Sequence, residues 1–294
     1  MSSQVLFSNA FGKITKEIIN DEIEVIAIEH QSGKASVSLY GGHVLDWQPE
    51  GHQPVFWLSR TTAYQSGKAI RGGIPICWPW FGPNLDTNGV NGGNHGFARN
   101  NHWQLVDYKI AEHEVKLVLE FTGEGKHQLW PESFILRQEL TIGDVFTQRM
   151  SMTNLSSKSV EYSSALHSYF AVSHPQYTHV NNLSEALFDD KITQNKAQKD
   201  KLVNCVGPID RIYYSSTEQE IIDDKWQRKV VINSKNCQQW VLWNPGVEIA
   251  AGMDDIHPEG EDEYVCLEAA NTQWQTIEAG QTVSVEQKVT VSNL

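Results

Sequence analysis

Along most of the chain, apolar and polar positions alternate with a period of two. Val115, Leu117, Leu119 and Phe121 form one apolar set. Phe134, Leu136, Leu140 and Ile142 alternate with Arg137, Glu139 and Thr141. Val283, Val285, Val289 and Val291 alternate with Thr282, Ser284, Glu286, Lys288 and Thr290. A strand sends successive side chains to opposite faces, so each set predicts a strand with one buried face. Turn signals separate the sets: Gly123-Glu-Gly125, Gly143-Asp144, Asn154 to Ser157, Asn244-Pro-Gly246 and Ala279-Gly280. Phe134–Ile142 followed by Asp144–Met152 predicts a hairpin with Gly-Asp at its turn. No stretch carries a strong helical period. The expected fold class is therefore all-β, an antiparallel arrangement of two packed sheets.

Two segments break the alternation. Residues 64–101 are rich in Gly, Pro, Trp and Asn, and residues 244–262 are rich in Gly and acid. Long irregular segments inside a compact fold are uncommon and often functional, so a site is expected there. There is no composition break, short-period repeat or low-complexity linker, and 1–294 reads as a single domain, a length compatible with one large all-β unit.

Composition narrows the partners. The formal charge of −13 argues against nucleic acid or an anionic membrane, which both require a positive footprint. No apolar run approaches spanning length, and nothing points to a protein partner. Cys77, Cys205, Cys237 and Cys266 show no CxxC spacing and no His/Cys cluster of the zinc type, so reduced thiols in a cytoplasmic protein are expected. A basic stretch followed by a long apolar run, the mark of a signal peptide, is not seen. Seven arginines are few; Arg60, Arg71 and Arg99 fall in the first hundred residues, and Arg60 is read as surface charge.

Several residues carry candidate chemistry. Glu268 stands in the apolar run Tyr264-Val-Cys-Leu-Glu-Ala-Ala270, where a carboxylate is costly to bury unless paired. It is either an edge residue pointing to water or a desolvated base with a raised pKa. His167 lies in Ser163-Ser-Ala-Leu-His-Ser-Tyr-Phe170 and is either a satisfied strand histidine or the floor of a site. In Ala69-Ile-Arg-Gly-Gly-Ile-Pro-Ile-Cys-Trp-Pro-Trp-Phe-Gly-Pro83, Gly72 and Gly73 would allow a backbone to approach a ligand closely. Trp78, Trp80 and Phe81 offer faces for stacking on a sugar, or plain packing. Arg71 supplies a planar fork for hydroxyls or phosphate. His95 and Arg99 follow in a glycine-punctuated turn. The glycines at 89, 92, 93 and 96 match neither GxGxxG nor GxxxxGK[ST], so a nucleotide site is not supported.

In order along the chain, Ile70-Arg-Gly-Gly-Ile-Pro75 with Trp78-Pro-Trp-Phe-Gly82, His95-Gly-Phe-Ala-Arg99, Leu166-His-Ser-Tyr-Phe170, Ile209-Asp-Arg-Ile-Tyr213 and Cys266-Leu-Glu-Ala269 resemble the hexose-6-phosphate mutarotase branch of the aldose 1-epimerase superfamily. The resemblance implies a large antiparallel β-sandwich of the galactose-mutarotase type. It implies His167 as general acid, Glu268 as general base, and Arg71, His95, Arg99 and Asp210 as ligand contacts, with arginines gripping the phosphate. It implies no metal and no organic cofactor. The substrate so implied is a small sugar phosphate, glucose 6-phosphate foremost, whose anomers interconvert by ring opening. That chemistry asks for Glu268 ionised and His167 protonated at the start, with a sugar ring fitting between them. The alternatives are a free-aldose mutarotase, which would need fewer guanidinium groups, and a sugar-phosphate binding or sensor domain, which would not need both His167 and Glu268. A glycosidase would require a second carboxylate.

Overall fold

The computed structural model describes residues 3–85 and 91–294; Gly89 lies outside them. The predicted hairpin forms between Ser133–Gly143 and Val145–Asn154. Ile142 pairs with Phe146, so Gly143, Asp144 and Val145 together make the turn rather than Gly-Asp alone. Gly143 is also crossed by the neighbouring hairpin. A Cβ there would lie 2.4 Å from the His113 carbonyl oxygen, and only glycine fits.

This hairpin belongs to an eight-stranded sheet in which Thr282–Asn293 pairs with Val145–Asn154, and Glu114–Glu124 pairs with Ser133–Gly143. A seven-stranded sheet faces it. Its middle is formed by Ile209–Tyr213, Gln239–Asn244, Tyr264–Ile277 and Val160–Leu166, in that order. All the strand pairs described are antiparallel. The predicted apolar sets supply one side of the core, with Leu117, Leu119, Leu136, Leu140, Val285 and Val289 all buried. Leu166, Phe170, Trp240, Leu242, Val265 and Leu267 supply the other. Full burial of one such side chain contributes roughly 1.5–3 kcal/mol relative to exposure.

The expected pair of sheets is joined by a third. Strands between Ser3 and Pro49 form a five-stranded meander in which sequence neighbours pair. Its last strand also accepts the Ile74 amide on the Val44 carbonyl at 2.8 Å. It sits against one end of the eight-stranded sheet, where Trp47 Nε1 donates to the Gly143 carbonyl and His30 Nε2 contacts the Ala111 carbonyl. Among the described residues the only α-helix is the single turn Gly246–Ala250.

The two irregular segments are partly ordered by the sheet they cover. Ile76–Cys77 pairs with Ala165 and Leu166 as an edge strand. Residues 244–262 contain the helical turn and a 3-10 turn at Gly260–Asp262.

Candidate active site

Strand Tyr264–Ile277 has two buried faces. Val265, Leu267 and Ala269 point into the main core, whereas Tyr264, Cys266, Glu268 and Ala270 point away from it. That second face is roofed by the two irregular segments. Residues directly opposite each other in antiparallel strands share a face. Asp210 is opposite Trp243, Trp243 opposite Cys266, Cys266 opposite Tyr169, and Val241 opposite Glu268. Register alone therefore sets Asp210, Trp243, Tyr169 and Glu268 on one surface.

His167 joins them at a break. Strand Val160–Leu166 ends, and pairing resumes at Tyr169–Ala171. In the gap the Ser168 amide donates back to the Leu166 carbonyl at 2.9 Å, while the His167 amide donates to Pro75 at 3.0 Å. Ser168 faces the core, and the His167 ring stacks on Tyr169 with centroids 5.0 Å apart.

All six residues singled out from the sequence, Arg71, His95, Arg99, His167, Asp210 and Glu268, line one cleft of about 300 Å³. This is the lower end of the range for small-molecule sites, about 300–1,000 Å³. His167 Nε2 lies 3.2 Å from Glu268 Oε1. Glu268 is 1% exposed and His167 8%. Glu268 Oε2 and His167 Nδ1 are buried without a hydrogen-bond partner. Burial pushes Glu268 well above the usual carboxylate range, and the Asp210 carboxylate adds to the rise. Burial pushes His167 well below the usual imidazole range, helped by His95, Arg99 and Arg71. Both directions favour the uncharged forms. The cause is desolvation, reinforced for the imidazole by nearby positive charge.

Neighbouring groups are held in defined orientations. His95 sits in the left-handed region at φ 67° and accepts the Gly82 amide on Nδ1 at 3.2 Å, so Nε2 carries the proton. Burial and Arg99 push it down to about 3. Arg71 donates through Nε to Asp255 Oδ2 at 3.0 Å and through Nη1 to the Tyr169 hydroxyl at 2.8 Å. Arg99 donates to the Asn94 carbonyl, and its Nε is buried without a partner. Burial raises Asp210. Arg60, read as surface charge, forms an exposed pair with Glu263. No group of three or more His, Cys, Asp or Glu among the described residues could hold a metal ion.

One open reading closes as packing, and two expectations are corrected. Trp78 and Trp80 are 1% exposed and packed in the core, so of the three aromatics only Phe81 lines the cleft. Gly72 and Gly73 make room for backbone rather than ligand. A Cβ on Gly73 would meet the Val44 carbonyl oxygen at 2.1 Å, and one on Gly72 the Trp57 carbonyl oxygen at 2.4 Å. A sugar ring does not fit between His167 and Glu268, because the two touch.

The structure also adds residues to the cleft, chiefly Lys191, Trp243 and Met253. The period-two pattern of Gln239-Trp-Val-Leu-Trp-Asn244 would have separated the core residue Trp240 from Trp243. Lys191 carried no signal. It lies among Asp189, Asp190 and Lys196 and reads as surface charge.

A family model described as Aldose 1-epimerase matches residues 24–290. An Escherichia coli (strain K12) protein named "putative glucose-6-phosphate 1-epimerase" is 34% identical over 256 residues, 85% of this chain and 84% of that protein. A protein of the same name from Cenchrus ciliaris is 31% identical over 254 residues, 80% of this chain and 74% of that protein. Among solved structures, a "putative mutarotase" from Salmonella typhimurium superposes with a TM-score of 0.89 at 29% identity, covering 99% of this chain and 97% of that one. A galactose mutarotase-like protein from Clostridium acetobutylicum, at 16% identity, gives a TM-score of 0.72 over 97% of this chain and 100% of that one, a likeness of fold alone. The fold is thus a β-sandwich of the galactose-mutarotase type, the family's substrates are sugars, and the chain belongs to the aldose 1-epimerase family of isomerases.

Proposed function

We propose that this cleft interconverts the α and β anomers of a hexose 6-phosphate, glucose 6-phosphate foremost. The observation that carries the reading is a touching His167–Glu268 pair in a cleft lined by three cations, Arg71, Arg99 and Lys191, in a chain of net charge −13. An anion needs such a local reversal of potential. The names of the relatives support the same substrate.

With both groups uncharged, as burial favours, the pair holds the right number of protons. One proton moved from Glu268 to His167 along their contact gives a carboxylate and an imidazolium. A bound phosphate, by neutralising the cations, favours that shift. Glu268 then takes the proton of the C1 hydroxyl. The bond from C1 to the ring oxygen breaks, its electron pair goes to that oxygen, and His167 protonates it. The open aldehyde leaves both groups neutral, the state that burial favours. Rotation about C1–C2 and the reverse proton transfers close the other anomer. Each transfer contributes roughly 10²–10⁴-fold. His95 Nε2–H and Asp210 face the same cleft and hold sugar hydroxyls.

The free-sugar reading rests on one observation: Arg71 is already engaged by Asp255 and Tyr169, which leaves phosphate mainly to Arg99 and Lys191. NMR exchange spectroscopy on glucose 6-phosphate beside glucose separates the two. Acceleration confined to the phosphorylated sugar is expected; equal acceleration of both would replace phosphate specificity with the free-sugar reading.

A further inference from the structure

Three glutamines occupy inward positions of the eight-stranded sheet where the alternation calls for apolar residues. Gln138 lies between Leu136 and Leu140, Gln148 between Phe146 and Met150, and Gln287 between Val285 and Val289. All three are fully buried. They stand on adjacent strands, Gln148 directly opposite Gln287 and diagonal to Gln138. Their amides join head to tail. Gln138 Nε2 donates to the Gly42 carbonyl at 2.6 Å, Gln148 Nε2 to Gln138 Oε1 at 2.6 Å, and Gln287 Nε2 to Gln148 Oε1 at 2.8 Å. The last link crosses the sandwich: the Ser168 hydroxyl donates to Gln287 Oε1 at 3.0 Å.

Stability gives no reason for this ladder. Methionine or leucine would fill the same space without needing partners, and Met150 and Met152 already do so alongside. What three linked amides provide and methionine does not is a single geometry, because each amide is satisfied only when the next is in place. The Ser168 end of the ladder adjoins the cleft, and the Gly42 end reaches it through intervening residues. Gly42 precedes His43, whose Nε2 contacts the Gly72 carbonyl at 2.7 Å, next to Arg71. Ser168 follows His167 in the break between two strands, where the ladder register is interrupted and the backbone is held by single bonds such as the Leu267 amide on the Ser168 carbonyl at 3.1 Å.

We propose that the glutamine ladder is a positioning device: it anchors Ser168 and thereby holds the strand break that aims His167 Nε2 at Glu268. Gln138, Gln148 and Gln287 are positioning residues and touch no substrate. The inference rests on the acid–base reading of His167 and Glu268.

Gln148→Met cuts the ladder at its middle. Anomer exchange of glucose 6-phosphate, measured well below the unfolding temperature, should show kcat reduced roughly tenfold to a hundredfold, the scale of loss from displacing a catalytic group by about 1 Å. KM should stay nearly unchanged, since the groups that hold phosphate are untouched. Ser168→Ala, which removes only the terminal hydroxyl, should give a similar loss. The double variant should be no slower than the slower single one, because a ladder cut once is already cut. A folded Gln148→Met protein with wild-type kcat and only a lower Tm would overturn the proposal. If Gln148→Met does not fold, Ser168→Ala decides alone, and wild-type kcat there overturns it equally. His167→Ala in the same assay separates the two levels. If it retains turnover, the acid–base reading fails; if it loses turnover while Ser168→Ala and Gln148→Met do not, only the ladder fails.

Discussion

Two buried polar clusters sit back to back in this molecule, one residue apart in sequence at Ser168 and His167. On the core side, Ser168 ends a chain of glutamines in which each amide has a partner. On the cleft side, His167 and Glu268 touch each other yet keep Nδ1 and Oε2 unpaired. Both clusters are buried, so burial alone does not explain the difference. A satisfied network in a low-dielectric interior fixes geometry, whereas unpaired atoms there raise the free energy of the fold and stand ready for a ligand. The scaffold and the chemistry are thus distinguished by hydrogen-bond closure, not by burial.

The largest expected break in this contrast comes from replacing either member of the pair. Glu268→Gln and His167→Ala should each lower turnover on glucose 6-phosphate by about 10²–10⁴-fold. Glu268→Gln should also leave Tm no lower than wild type, and higher at neutral pH. The sign follows from the raised pKa of the folded state. At neutral pH the unfolded carboxyl is ionised while the folded one is pushed toward its protonated form, so folding works against the residue. The gain should vanish as pH falls through 4.5, where the unfolded carboxyl is protonated too. NMR exchange and calorimetry check the two halves, and a folded variant of near-wild-type turnover would remove the residue from the mechanism.

A smaller effect is expected at the cations. A charge-assisted hydrogen bond to phosphate contributes about 1.5–3 kcal/mol, so Arg99→Ala should raise KM for glucose 6-phosphate roughly ten- to a hundredfold. Arg71→Ala should do less, because Asp255 and Tyr169 already engage Arg71 and leave phosphate mainly to Arg99 and Lys191. Any background rate on free glucose should barely move. Equal losses on both sugars would instead make the arginines contacts of the ring.

The smallest effect concerns pH. Burial pushes His167 down from 6.5 and Glu268 up from 4.5, so the imidazole resists gaining a proton near 6.5 and the carboxyl resists losing one near 4.5. kcat, corrected for spontaneous exchange, should therefore show a plateau through 6.5 rather than a fall. A loss of kcat on acidification with a midpoint near 6.5 would mean that His167 titrates like an exposed imidazole, and the contrast between the two clusters would lose its electrostatic side.

Much of this was legible in the chain. Alternation located the strands around Leu117, Leu136 and Val285, and the apolar setting of Glu268 and the irregular segment bearing Arg71, His95 and Arg99 pointed to the residues that line the cleft. What failed was assignment to a face. Trp78 and Trp80 were open to sugar stacking or plain packing and are packed in the core, while Trp243 passed unnoticed and lines the cleft. The gaps at Gln138, Gln148 and Gln287 were visible as interruptions in apolar sets, but nothing in sequence joins one amide to the next.

The sequence by itself determined the strand periodicity, the antiparallel class and the residue types able to exchange protons and bind an anion. Only the tertiary structure decided that His167 meets Glu268, that Lys191 enters the cleft, and that a ladder from Gly42 ends at Ser168. The physical reason lies in the central sheet. A period of two divides a strand into two faces, but here both faces are buried, one by another sheet and one by irregular segments. Which face becomes core and which becomes cleft depends on what packs against it, and those contacts join residues far apart in the chain.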